Sequence, residues 1–194
     1  MLVCIPVGWV SYTEPLLNTV KWANEGKFKF DFAISNRVDL NRSVCISKAK
    51  LLKEDLIMID SDINVLNPPL QLKEILKEDE READIVLGIA VSHLGVLIDP
   101  LPPKDKDLYE INWGSLSFVY IPFKTLRKLK HIAKYPQNIN MYMTYKPYTS
   151  EDVEFIRRLK KKGFKVMADK RIALNHFKLV PLRYMSLEFE VQTK

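Results

Sequence analysis

Two aspartates one residue apart follow a short apolar run, where they could hold a metal ion. Residues 56–59 read as a buried strand, and Asp60, Ser61 and Asp62 come directly after it. If the strand continued, Asp60 and Asp62 would point to the same side and their carboxylates would repel each other. A divalent cation removes that repulsion, and Mg²⁺ or Mn²⁺ prefers oxygen ligands and keeps positions open for substrate phosphates. The alternative interpretation is a pair of turn residues, since aspartate is common in turns.

A second acidic pair, Glu151 and Asp152, opens a predicted helix over 151–163. Ser150 is a typical N-cap residue and places both acids in the first helical turn. An ionised carboxylate there could accept a proton from an attacking hydroxyl, although acids in a first turn also simply stabilise the helix dipole. Further along, His176 follows an apolar run. It is either a hydrogen-bonded residue of the core or rim, or an additional ligand for Mn²⁺.

Alternating strand and helix patterns must position these side chains. Residues 1–91 read as four apolar strands separated by three helices, which predicts an α/β domain with a mainly parallel sheet. In such sheets ligands bind beyond the carboxyl ends of the strands, where Asp60 and Asp62 would lie. Without a linker in the sequence, we expect a single domain over 1–194. The later predictions are a strand at 114–122, a helix at 123–135, a long loop at 136–150 and late strands at 164–169 and 171–177.

Charge, cysteine content and apolar stretches indicate where the protein acts but do not identify a ligand. The chain has 30 Lys and Arg against 24 Asp and Glu, a net charge of +6, which suits an anionic partner but is also common without one. Cys4 and Cys45 lack metal-ligand spacing, so two buried free thiols are the simplest prediction, with a disulfide left open. The N-terminus is a poor signal peptide, and the longest apolar stretch, 85–98, is too short to span a bilayer comfortably. We expect a soluble protein of the cytoplasm.

In their order along the chain, these sites resemble those of GT-A-fold, nucleotide-sugar-dependent glycosyltransferases, in particular compact forms of the family-2 type. The most specific stretch is the string S-E-D-V-x-F on a basic helix, followed by G-F-K-V and a terminal His. The resemblance implies a three-layer α/β sandwich with a mainly parallel central sheet, and the small size is similar to that of soluble members from microbes or viruses. The matching segments are CIPVGWV (4–10), NRSVCISKAKLLKEDLIMIDSDI (41–63), INWGSLSFVYIPFKTLRKL (111–129) and SEDVEFIRRLKKKGFKVMADKRIALNHF (150–177).

The resemblance also implies a role for each candidate residue. Asp60 and Asp62 would hold a metal that bridges the diphosphate of the donor, with Asp62 as the direct ligand. His176 would reach the same metal or the diphosphate. Asp152 would be the catalytic base, with Glu151 as the fallback. The residues expected against the nucleotide sugar are Pro6, Val7, Gly8, Arg42 and Ser61, and those expected in the acceptor pocket are Trp113 and Gly114.

The reaction implied by the resemblance is a metal-dependent glycosyl transfer. With Mn²⁺ or Mg²⁺ bound, a sugar would move from a nucleotide-diphosphate sugar to a hydroxyl of a glycan, a protein or a lipid-linked acceptor. Inversion at the anomeric carbon is expected, since Asp152 matches the base of inverting members. A lipid-linked acceptor would bring peripheral membrane contact, and a viral member would act in the host cytoplasm. The Q-x-x-R-W motif of processive synthases is absent, which argues against a polymerising membrane enzyme.

Two other function classes stay open at this point. A phosphatase of the haloacid-dehalogenase type also places D-x-D after an apolar strand, but normally on its first strand, and no D-x-D-G-T string occurs here. A nucleic-acid-binding protein could use the basic segments 124–134 and 157–165 to contact phosphates. Solvated helix faces with cations near a helix C-terminus explain those segments more simply, and we prefer that interpretation.

Overall fold

The computed structural model describes residues 1–8, 13–92, 95–135, 139–144 and 149–177. The helices are α1 (Thr13–Glu25), α2 (Val38–Leu52), α3 (Pro69–Asp79), α4 (Phe123–Leu126) and α5 (Glu151–Lys161). The strands are β1 (Leu2–Val7), β2 (Lys29–Ile34), β3 (Leu56–Ile59), β4 (Ile63–Val65), β5 (Ile85–Gly88), β6 (Val91–Ser92), β7 (Gly95–Val96), β8 (Ile98–Asp99), β9 (Leu108–Glu110), β10 (Trp113–Gly114), β11 (Phe118–Ile121), β12 (Ala133–Tyr135), β13 (Ile139–Met141), β14 (Val166–Asp169) and β15 (Leu174–His176).

A seven-stranded sheet in the order β2-β1-β3-β11-β5-β14-β9 organises the chain. Strand β1 is parallel to both of its neighbours, and β5 is parallel to β14. Strand β11 is antiparallel to both β3 and β5, so β3 and β5 run in the same direction, and β9 reverses again at the edge. Five of the seven strands therefore share one direction, which confirms the predicted mainly parallel α/β sheet.

Helices cover both faces of this sheet. Side chains alternate along β1, so Leu2 and Cys4 face one core while Val3 and Ile5 face the other. Buried side chains of α2, α4 and α5 complete the first core, and those of α1 and α3 complete the second. This arrangement is a three-layer sandwich, as predicted. Within the described ranges, no helix combines the length and the apolar composition needed to cross a bilayer.

The predicted helix over 123–135 is wrong beyond its first turn. The helix ends at Leu126, and β12 follows and pairs antiparallel with β13. The apolar spacing explains the failure, because Leu126 and Leu129 are buried but Ile132 is 38% exposed. A helix continued to that point would have had no further apolar face to bury, whereas the hairpin satisfies the backbone through strand pairing.

The predicted loop over 136–150 also contains regular structure. Strand β13 lies within it and contacts α2, where the hydroxyl of Ser43 accepts hydrogen bonds from the backbone N–H groups of Tyr142 and Met143 at 3.0 and 3.3 Å. Residues 136–138 and 145–148 of that prediction lie outside the described residues.

Cys4 and Cys45 form a disulfide, so the simplest prediction, two free thiols, is wrong. Cys4 lies on the face of β1 that packs against α2, and Cys45 lies on the inner face of that helix. Both side chains are fully buried and their Cα atoms are 5.6 Å apart, within the range that a disulfide requires. The bond fixes α2, and with it Arg42 one turn away, against the central sheet.

Candidate functional site

The aspartate pair lies at the carboxyl edge of the sheet, but in a turn. Strand β3 ends at Ile59, and residues 61–62 form a turn before β4 begins. The Asp60 amide N–H donates to the Ser117 carbonyl at 2.9 Å, which fixes the turn to the start of β11. Because the strand does not continue, the alternation expected for Asp60 and Asp62 does not apply, and the two carboxylates take different partners.

Arg42 joins three of the candidate carboxylates. Its guanidinium is 4% exposed and donates from Nη2 to Asp60 at 2.7 Å and from Nη1 to Glu151 at 3.0 Å. The same Nη1 donates to Asp152. We call Arg42, Asp60, Glu151 and Asp152 the Arg42 cluster. It connects the turn after β3 to the first turn of α5, so the two acidic sites predicted separately are one site.

The Arg42 cluster has more negative than positive charge in a buried setting. Burial raises the pKa of Asp60 to about 6; Arg42 opposes that rise, and Asp152 and Asp62 add to it. Burial disfavours the charge of Arg42, but the attraction of Asp60, Asp152 and Glu151 outweighs it and raises the Arg42 pKa. One guanidinium therefore faces three carboxylates in this cluster.

Asp62 and His176 meet on a separate ribbon. Strands β4 and β15 pair antiparallel with Ile63 opposite His176, and the Phe177 amide N–H donates to the Asp62 carbonyl at 2.8 Å. This pairing places His176 Nε2 3.0 Å from Asp62 Oδ2. His176 Nδ1 is buried and has no partner within the described part of the chain.

The predicted three-ligand metal set is not assembled as one cluster. Asp62 and His176 are in contact, but the Asp60 carboxylate is bound by Arg42. Across the described residues, no three His, Cys, Asp or Glu side chains are grouped as a metal site would require. The buried guanidinium of Arg42 supplies the positive charge beside Asp60.

Asp152 lines a cleft of about 160 Å³. Ser150 caps α5 as predicted, since its hydroxyl accepts from the Val153 N–H at 3.3 Å. The second oxygen of Asp152 accepts from the Leu116 N–H at 3.1 Å, which fixes the orientation of the carboxylate. Residues lining the cleft are Leu97, Trp113, Gly114, Ser115, Ser150, Asp152 and Val153. The predicted base and the predicted acceptor residues therefore share one cleft.

The predicted nucleotide loop is only partly described. Pro6 and Val7 are buried at the end of β1 and Gly8 follows, while residues 9–12 lie outside the described residues. The Val7 carbonyl accepts from the side-chain amide of Asn41 at 2.9 Å, so the end of β1 is attached to α2 beside Arg42.

Two groups that support the site were not predicted from the sequence. Asn41 is 2% exposed, and a buried side-chain amide of this kind needs hydrogen-bond partners. The only signal for it in the sequence was its position next to Arg42. The Leu116 N–H that orients Asp152 is a backbone group, and no side chain in the sequence indicates it.

Comparison with known proteins identifies the fold. No family model matches the chain, and no curated protein matches it in sequence. Among solved structures, protein A197 from STIV is 19% identical, with a TM-score of 0.65 over 92% of this chain and 85% of that one. A Drosophila β-1,4-galactosyltransferase 7 mutant, in complex with manganese, UDP-Gal and xylobiose, is 12% identical, with a TM-score of 0.51 over 95% and 73%. TarS from S. aureus is 14% identical, with a TM-score of 0.51 over 95% of this chain and 38% of TarS. At these identities the shared property is the fold, which is GT-A-like.

Proposed function

We propose that this chain, which has the GT-A-like fold, transfers a sugar from a nucleotide-diphosphate sugar to an acceptor hydroxyl with inversion. The observation that carries the proposal is the Arg42 cluster. It places Asp60, at the carboxyl edge of the sheet, and Asp152, which lines the cleft, on one guanidinium. A transfer needs a donor site and an acceptor site side by side, and a shared buried residue keeps the two at a fixed separation.

On the donor side, Asp62 and His176 are the residues that would hold Mn²⁺ or Mg²⁺. Asp62 Oδ2 and His176 Nε2 lie 3.0 Å apart, at hydrogen-bond distance, so one carboxylate oxygen and one imidazole nitrogen reach the same point, and both are ligand types that such an ion accepts. His176 contributes a nitrogen ligand, which suits Mn²⁺ better than Mg²⁺. When bound, the metal neutralises charge on the departing diphosphate.

On the acceptor side, Asp152 is the proposed base. Both of its oxygens accept one hydrogen bond, from Arg42 and from the Leu116 N–H, and each oxygen keeps a second lone pair. An acceptor O–H in the cleft would give its proton to Asp152 while its oxygen bonds to the anomeric carbon and the bond to the diphosphate breaks. Trp113, 38% exposed, offers an aromatic face beside this position for a glycan, protein or lipid-linked acceptor. Glu151 is the alternative base.

The proposal also includes the predicted domain boundaries and the predicted location in the cell. We treat 1–194 as one catalytic domain, because the central sheet draws strands from residue 2 to residue 169 and its helices come from both halves of the chain. We also place the enzyme in the cytoplasm, where nucleotide sugars are available as donors.

Calorimetric titration with UDP and GDP, each with and without Mn²⁺ or Mg²⁺, tests the proposal. We expect metal-dependent binding of one nucleotide, its loss in Asp62→Ala, and its retention in Asp105→Ala, which removes an exposed loop carboxylate. With the preferred donor, Asp152→Asn should keep the nucleotide affinity and lose transfer. Absence of nucleotide binding under every metal condition would refute the proposal.

A further inference from the structure

Two basic segments that the proposed function leaves unused meet at a second cavity. The sequence contains KTLRKLKHIAK (124–134) and RRLKKKGFK (157–165), which are separated by more than twenty residues. In the structure, lysines from both segments surround a cavity of about 520 Å³. We call it the lysine cavity, and its lining residues are Asp84, Lys128, Lys130, Lys162, Gly163 and Phe164.

The lysine cavity lies at the amino ends of the parallel strands, whereas the candidate functional site lies at their carboxyl ends. Asp84 precedes β5 and Phe164 precedes β14, so both mark the amino ends of these strands. Lys162 follows the last residue of α5, whereas Asp152 stands in the first turn of the same helix. Eleven helical residues separate the two ends by about 16 Å, so the lysine cavity is not part of the cleft beside Asp152.

The three lysines carry uncompensated positive charge. Lys128, Lys130 and Lys162 are exposed, and none makes an ion pair or a side-chain hydrogen bond within the described residues. The dipole at the end of α5 accounts for Lys162 alone, because Lys128 and Lys130 come from the segment after α4. Their convergence on one concave surface is therefore not explained by the end of a single helix.

Asp84, the one acid that lines the lysine cavity, has both carboxylate oxygens engaged in hydrogen bonds. One oxygen of Asp84 accepts from the Thr125 hydroxyl at 3.3 Å, and the other accepts from the Lys165 backbone N–H at 2.9 Å. These bonds join the start of β5 to α4 and to the start of β14, which gives Asp84 a structural role. Three ammonium groups remain against one carboxylate, and the cavity attracts an anion.

We infer that the lysine cavity binds a phosphate-bearing anion, a phosphomonoester or a diphosphate. Lysine binds phosphate as a point charge with three donors, and three such groups match the charge of a dianion or trianion. The volume accommodates a phosphate with an attached organic group, and the ring of Phe164 forms an apolar wall for that group. Nucleic acid would require an extended basic track, whereas these lysines surround one hollow. The source of the phosphate is a free small molecule or a lipid headgroup.

Titration with inorganic pyrophosphate in EDTA, at physiological ionic strength, tests the inference. EDTA silences the metal-dependent nucleotide site proposed above, and Asp62→Ala should leave pyrophosphate binding unchanged. We expect Lys128→Glu combined with Lys130→Glu to weaken pyrophosphate affinity by about tenfold or more. The matched control, Lys21→Glu with Lys77→Glu, alters two exposed lysines elsewhere and should keep the wild-type affinity.

A second arm distinguishes the two sources of phosphate. Vesicles of phosphatidylcholine with and without phosphatidic acid are sedimented with the same variants. Sedimentation that requires phosphatidic acid and fails in the Lys128/Lys130 double variant indicates a lipid headgroup, and pyrophosphate binding without sedimentation indicates a free ligand. Three results overturn the inference. They are no binding of pyrophosphate or vesicles, equal losses in both double variants, and tighter binding of a single-stranded oligonucleotide than of pyrophosphate through the same lysines. Lys162→Gln, a milder change, provides the same readout should the double variant fold poorly.

Discussion

Asp79 and Asp169 form a buried pair of acids. Because of this pair, we expect the free energy of unfolding to fall as the pH rises towards neutrality. Asp79 ends α3 and Asp169 ends β14, and their side chains are 1% and 0% exposed. One nitrogen of Arg171 donates to Asp79 at 2.9 Å and to Asp169 at 2.7 Å, and another donates to Glu78 at 2.8 Å. The second oxygen of Asp79 is buried and receives no N–H or O–H donor from the described residues, while the Asp169 carboxylate lies within hydrogen-bonding reach of Asp79. Three carboxylates thus share one guanidinium, which favours retention of a proton.

The sign of the pH effect follows from where that proton is held. Burial, then the charge of Asp169, raises the pKa of Asp79 from 3.8 to about 7. Between these two values the folded chain keeps a proton that the unfolded chain has released, so the contribution to stability is complete below about pH 4 and is lost through about pH 7. A difference of about three units corresponds to an upper limit of roughly 4 kcal/mol. This direction is opposite to that of an ordinary ion-paired aspartate.

Asp79→Asn tests this reasoning, because asparagine imitates the protonated acid. Its oxygen can still accept from Arg171, and its amide can donate to Asp169. In urea denaturation we expect the stability advantage of the variant over the wild type to grow by roughly 2 to 3 kcal/mol between about pH 5 and about pH 8.5, because the wild type loses the remaining part of the contribution over that interval.

Asp31→Asn is the control. The Asp31 side chain is 44% exposed and pairs with Lys48 at 2.6 Å. Burial opposes its charge, but the hydrogen bond from Lys48 lowers its pKa overall. Its loss should be below about 1 kcal/mol and equal at both pH values. If Asp79→Asn were instead destabilised equally at both pH values, Asp79 would be ionised in the fold and the argument would be wrong.

Three further changes test the packing that supports the site. Cys45→Ser opens a disulfide that closes 41 residues and should lower the free energy of unfolding by about 4 kcal/mol, with dithiothreitol giving a similar loss in the wild type. Ser150→Ala removes the cap of α5 and should cost about 1 kcal/mol, while Ser150→Asp restores it. Gly26→Ala would place a Cβ 2.7 Å from Pro69 and against the Phe28 ring, at a cost of about 1–3 kcal/mol by thermal denaturation. A neutral result for any of them would contradict the corresponding contact.

The fold was predictable where local pattern and tertiary structure agree. The buried runs became β1, β3 and β5, and the amphipathic helix predicted over 151–163 is confirmed as α5. The helix predicted over 123–135 was wrong because part of this basic, helix-favouring sequence pairs as β12 with β13. The local sequence does not show that pairing, since it depends on the partner strand. Gly26 follows the last residue of α1, as is typical of glycine at a helix end, but its backbone freedom is not the reason here. Lys27, with φ of 52°, takes the left-handed conformation, and Gly26 is needed for space.

In the candidate site, too, local sequence patterns could be predicted and long-range contacts could not. Asp60, Asp62 and Asp152 could be predicted as candidates because carboxylates after a buried strand, or behind an N-cap serine, are visible in the local sequence. The contacts of Arg42 were not, since its partners lie 18, 109 and 110 residues away along the chain. The resemblance placed Arg42 against the nucleotide or diphosphate. In the structure its Nη1 and Nη2 atoms are both bonded to carboxylates, and its Nε is buried without a partner in the described residues.

Arg42→Met distinguishes a structural role from a nucleotide-binding role. If Arg42 mainly balances buried charge, its removal takes away the cation that Asp60, Glu151 and Asp152 share and should cost about 3–5 kcal/mol in urea denaturation. Adding Asp60→Asn to Arg42→Met should then recover part of that loss, because the negative charge at Asp60 disappears. If Arg42 mainly binds diphosphate, Arg42→Met should unfold near the wild-type urea concentration and lose nucleotide affinity. Wild-type stability together with wild-type nucleotide binding would refute both roles, and with them the view that one buried guanidinium holds donor and acceptor sites together.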